Sequence, residues 1–103
     1  MEKLFVYGTL RDPNTQLSVF GRVTPGIPDI LPDFEKEEIV LDGEAYFIVR
    51  PRSRHSVSGM VLDVTVDELK RGDVYETDAY HRIVVTLASG LTAWVYCDNQ
   101  AQA

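Results

Sequence analysis

The run Lys3-Leu4-Phe5-Val6-Tyr7-Gly8-Thr9-Leu10 is the most informative stretch of the chain. Lys3 to Tyr7 is short, apolar and rich in β-formers, and it ends at Gly8. It reads as a buried first strand running into a bend. Glycine lets the backbone approach a ligand closely and adopt conformations closed to other residues. Successive free N–H groups at such a bend can form an anion-binding nest. A tight turn with no ligand fits Tyr7 to Leu10 equally well.

Asp12-Pro13 next offers an N-cap and a proline at the first helical position, with Leu17 and Phe20 on one face and Gly21 as a stop. Residues 24–33 contain Pro25, Gly26, Pro28 and Pro32, which predict a loop, able to act as a flap, and forbid a central strand. Glu37–Leu41 and Glu44–Val49 flank Asp42-Gly43, a strong hairpin signal. Residues 50–56 read as a basic, solvated loop with His55 exposed, and Val57–Val64 as a further strand. Thr65 and Glu68 match a capping box opening a helix of a turn or two that Gly72 can stop. Tyr80–Leu87 and Leu91–Cys97 form a second hairpin around Ser89-Gly90, and Asn99–Ala103 reads as a frayed tail.

These elements predict an α+β, mainly β fold: a small mixed barrel of five to seven strands with two short helices, in a single domain spanning 1–103. Segments such as Tyr46-Phe47-Ile48-Val49, apolar on both faces, favour a sheet that curls. At 103 residues and 45% hydrophobic content, one core is affordable without metals or disulfides. The net charge of −6 disfavours nucleic acid and anionic membrane as partners. Cys97 is the only cysteine, so no internal disulfide is possible. No apolar run approaches the roughly 20 residues of a membrane span. A cytoplasmic monomer or weak homodimer is the expectation.

A second candidate segment is Asp73-Val74-Tyr75-Glu76-Thr77-Asp78-Ala79-Tyr80-His81-Arg82. A carboxylate at Glu76, among the rings of Tyr75 and Tyr80, loses solvation, and its pKa rises toward that of a useful base. On composition alone, Glu76 is better read as one more surface acid. Cys97 as a nucleophile has little support, because no histidine lies near it in sequence.

Leu4 to Arg11 resembles the signature of the γ-glutamylcyclotransferase-like (AIG2-like) family, with its Tyr-Gly-Ser/Thr-Leu loop. The family's Asp-x-Tyr-Glu followed by Tyr-x-Arg is matched by Asp73, Tyr75, Glu76, Tyr80 and Arg82. Gly59-Met60-Val61-Leu62 matches its glycine-led strand. The resemblance runs from Leu4 to Tyr96, with Gly72 where the family usually has leucine and Thr77 where it often has glycine. It implies a γ-glutamyl small-molecule substrate, cyclised to 5-oxoproline with release of an amine, and no cofactor or metal. It also implies Glu76 as general base and acid, and Tyr7, Gly8, Thr9, Leu10 and Tyr80 as substrate contacts. Tyr75 and Arg82 would be supporting residues, with Arg82 more suited to bracing the site or pairing with an acid. A non-catalytic ligand-binding or regulatory domain on the same fold is the alternative, since fold alone does not carry activity.

Overall fold

The computed structural model describes residues 1–98, so the tail Asn99–Ala103 lies outside the described residues. The five strands are β1 (Glu2–Val6), β2 (Ile27–Leu41), β3 (Glu44–Val64), β4 (Tyr80–Thr86) and β5 (Thr92–Asp98). They form one sheet in the order β2-β3-β1-β5-β4. β1 lies at its centre, antiparallel to β3 and parallel to β5. The sheet curls: the β4–β5 turn reaches the far edge strand, where Ala88 N donates to Ile30 O at 2.8 Å and Ser89 Oγ to Asp29 at 2.5 Å. The expected mainly β, mixed, curled architecture with two short helices is therefore present, as five strands.

Alternation along β1 divides the interior in two. Phe5 and Tyr7 point into the curl with Leu31, Val49, Val57, Val61, Leu87, Val95 and Cys97. Leu4 and Val6 point the other way, against Leu10, Phe20, Leu62, Leu69 and Tyr96, beneath the helices α1 (Pro13–Phe20) and α2 (Val66–Glu76). Both helix starts follow their sequence signals. Asp12 accepts from Asn14 N with Pro13 behind it, and Thr65 and Glu68 form both halves of the capping box. Gly21 closes α1 in the left-handed region. No helix among the described residues is long and apolar enough to cross a membrane.

Four expectations need correction. Residues 27–33 are strand, not loop, because β2 is an edge strand, where a missing proline N–H costs no ladder bond. Residues 50–56 are strand as well, part of the long β3, with the irregularity confined to a bulge. There Asp33 (φ 61°) and Arg54 (φ 69°) face each other, and Arg54 N donates to Asp33. His55 is exposed, as expected. On α1 the buried positions are Gln16 and Phe20, while Leu17 is exposed. Gln16 is tolerated there because its amide bonds Leu10 O and Thr24 N. Gly72 does not stop α2. It is buried inside the helix, where a Cβ would come within 2.7 Å of Tyr96 Oη. The helix runs on to Glu76.

Candidate active site

β1 ends at Val6, and the chain turns through Tyr7 and Gly8 into a single 3-10 turn, Thr9–Arg11. Tyr7 is held by its phenol, which donates to Tyr96 O at 2.6 Å. Leu10 is buried beneath the helices. The turn's carbonyls are occupied: Gly8 O accepts from Arg11 N at 3.1 Å, and Thr9 O from Asp12 N at 3.0 Å. The amides of Gly8, Thr9 and Leu10 lie ahead of the first turn bond and have no acceptor within it. A Cβ on Gly8 would meet nothing within 4 Å. The fold itself leaves room there.

Across from this turn, α2 ends in two carboxylates with opposite fates. Burial works to raise Asp73, but hydrogen bonds from Arg82 and Tyr96 outweigh it and hold Asp73 below the usual carboxylate range. Arg82 grips it through Nε at 2.5 Å and Nη2 at 2.9 Å, and Tyr96 Oη lies 2.8 Å away. Three residues on, the Glu76 carboxylate has no hydrogen bond or ion pair among the described residues. Burial alone pushes it up to about 7. The paired acid stays ionised, and the solitary one is poised to exchange a proton near neutral pH.

The two segments share one cavity of about 380 Å³. Tyr7, Gly8, Thr9 and Leu10 line one side, Tyr75 and Glu76 another, with Tyr80 and the β2–β3 hairpin completing the wall. Thr9 Oγ1 and Tyr75 Oη are 2.7 Å apart, a direct bond between the turn and the helix end. Tyr80 donates from its phenol to Phe47 O at 2.7 Å, tying β4 to the hairpin. Burial, then the Glu76 charge, pushes Tyr80 up to about 12. Arg82 is not part of the lining. It pairs with Asp73 and lies over the Trp94 ring, 4.5 Å from its centroid.

The family model described as "Gamma-glutamyl cyclotransferase, AIG2-like" matches residues 4–103. The chain belongs to this family. Two relatives from Arabidopsis thaliana are similar to it. AIG2-like protein C is 35% identical over 83 residues, 80% of this chain and 47% of its own length. AIG2-like protein A is 33% identical over 86 residues, 82% of this chain and 51% of its own. This member thus spans about half the length of the curated relatives it matches. Among solved structures, a solution structure from Arabidopsis thaliana superposes with a TM-score of 0.82 at 27% identity, covering 97% of this chain and 70% of that one. A protein described as gamma-glutamyl cyclotransferase superposes with a TM-score of 0.78 at 15% identity, covering 95% and 66%. At that identity it speaks for the fold alone.

Three features of this family member were not evident from sequence. The hairpin residues Ile39, Tyr46, Phe47 and Ile48 wall the cavity, whereas residues 24–33 and 50–56 do not contribute to it. The signal was the two-sided apolarity of residues 46–49: Ile48 and Val49 are buried, and Tyr46 and Phe47 are half-exposed. Asp98, buried and paired with Arg50 at 3.2 Å, also lines the cavity. Thr77 caps α2 at φ 63°, ψ −168°, a region close to glycine-only, at the position where relatives often carry glycine.

Proposed function

We propose that this chain cyclises a γ-glutamyl compound to 5-oxoproline and releases the free amine or amino acid. One observation carries the reading: the Glu76 carboxylate, without a hydrogen bond or ion pair among the described residues and raised to about 7, shares a cavity with Gly8, Thr9 and Leu10, whose amides have no acceptor within their own turn. Family membership supports the same chemistry.

The substrate's α-amine is protonated at neutral pH, its pKa being about 8. In this reading Glu76 takes a proton from it. The freed nitrogen attacks the γ-carbonyl carbon, forming the lactam C–N bond. The turn amides hold the glutamyl end through its α-carboxylate and also meet the carbonyl oxygen as it gathers negative charge. Collapse breaks the amide C–N bond, Glu76 returns its proton to the departing nitrogen, and the second proton of the lactam nitrogen passes to the released amine, leaving Glu76 a carboxylate. A cavity of about 380 Å³ has room for a γ-glutamyl compound, and in this reading its walls hold the bent conformer that brings amine and carbonyl to about 3 Å. Tyr80 and Tyr75 position substrate or walls, and Arg82 acts at one remove by holding Asp73 on α2.

Incubation with a panel of γ-glutamyl amino acids and γ-glutamyl amines tests this reading. Equal amounts of 5-oxoproline and free amine are expected from at least one member. Intact panels after long incubation at high protein concentration would reject it.

A further inference from the structure

Lys36, on β2, is not part of the cavity lining, yet its side chain ends on the turn that forms one wall. Nζ donates to Tyr7 O at 3.1 Å, and the ammonium lies over the Phe47 ring, 4.4 Å from the centroid. One peptide further on, Arg11 Nε donates to Gly8 O at 3.2 Å. The two cations are close: after burial, the Arg11 charge is what pulls the Lys36 pKa below its ordinary value.

Tyr7 O and Gly8 N–H are opposite ends of one peptide group, and Gly8 O and Thr9 N–H are the ends of the next. A cation on a peptide oxygen draws electron density through the conjugated unit and makes its N–H a stronger donor. Hydrogen bonds in such chains reinforce one another, and charge-assisted bonds are roughly twice as strong as neutral ones. The need is specific here. Every charged side chain in the lining is acidic: Asp42, Glu76 and Asp98. Arg50 offsets Asp98, but no cation is among the lining residues themselves, so positive charge behind the donors favours the entry of an anionic oxygen.

We infer that Lys36 and Arg11 are positioning residues, cations fixed on the carbonyl ends of the Tyr7–Gly8 and Gly8–Thr9 peptides that fix and polarise the amides receiving the substrate's anionic oxygen. This rests on the cyclotransferase reading for its substrate. The anion-binding step is separable from turnover.

The test compares wild type with Lys36→Met, Lys36→Arg and Arg11→Met. Lys36→Met keeps an apolar stem over Phe47 and removes the charge. Calorimetry with L-5-oxoproline, an anion, and with its neutral carboxamide reads the effect on charge. Thermal melting reads the fold. For Lys36→Met and Arg11→Met the expected result is about tenfold weaker binding of 5-oxoproline and about tenfold lower kcat/KM. Affinity for the carboxamide and Tm should stay close to wild type, and Lys36→Arg should recover most of the loss. Equal weakening of both ligands would show a merely structural role and overturn the inference, as would no weakening of either. A wild type that binds 5-oxoproline but turns over no γ-glutamyl compound would sink the proposed reaction and leave Lys36 to be judged by the binding ratio. A wild type that does neither would overturn both.

Discussion

Thr9 Oγ1 and Tyr75 Oη, 66 residues apart in the chain, meet at 2.7 Å across one edge of the cavity. The bond joins the turn after the central strand to the last turn of α2, one residue before Glu76. Both partners are exposed, so it adds little to stability, and its consequence is geometric. Tyr75→Phe is expected to change Tm by no more than a few degrees while lowering kcat/KM about three- to tenfold. Steady-state kinetics beside a thermal melt would check this, and a melt that falls in step with activity would refute it.

Thr77 follows Glu76 with φ 63° and ψ −168°, a conformation that costs a β-branched residue about 1–3 kcal/mol. Glycine removes the strain and gives back about 1 kcal/mol in unfolded-chain entropy. Thr77→Gly should therefore stabilise the fold by about 1 kcal/mol, visible as a rise in the denaturation midpoint. A lower midpoint would show that the Thr77 hydroxyl, 3.4 Å from Ala79 N, matters more than the backbone.

Gly72 tests the opposite balance. Alanine is the better helix former by about 1 kcal/mol. Its Cβ, however, would come within 2.7 Å of Tyr96 Oη, which bonds Asp73 and Leu69 O. Overpacking costs about 1–3 kcal/mol, so contact wins over propensity and Gly72→Ala should lower stability by about 1 kcal/mol. Chemical denaturation measures it, and a stabilised variant would contradict the packing.

Much of this architecture was readable because it rests on local chemistry. The capping box at Thr65–Glu68, proline behind Asp12, and Asp42-Gly43, where both residues adopt positive φ (52° and 80°), act over a few residues and formed as expected. Errors arose where a residue's meaning depends on distant neighbours. Pro28 and Pro32 announce a loop until β2 is known to be an edge. Gly72 announces a helix end until Tyr96 is seen against it. The pairing of the Tyr7–Leu10 turn with Glu76 followed from family resemblance. The hairpin wall was signalled only by the two-sided apolarity of residues 46–49, and Asp98 and the Lys36 brace depend on contacts between distant residues that the sheet's curl creates.

Glu76 should also make stability depend on pH. Its folded pKa, about 7, lies above the ordinary value of 4.5 because burial disfavours the charged form. The folded state then holds a proton that the unfolded chain releases between those values, so stability falls as pH rises from about 4.5 through 7. Glu76→Gln removes the titration. The variant should match wild type near pH 4.5 and exceed it at pH 8 by about 1–3 kcal/mol, since Glu76 is only partly buried. Parallel melts across that range would show it, and curves separated by a constant offset would deny the shift.

The most direct measurement is 5-oxoproline release by wild type and Glu76→Gln on the best γ-glutamyl substrate of the panel. Wild-type kcat/KM should rise with pH on a limb near 7, and the variant, folded and still binding L-5-oxoproline, should lose at least about a hundredfold. A folded variant that turns over at the wild-type rate would contradict the account at its centre.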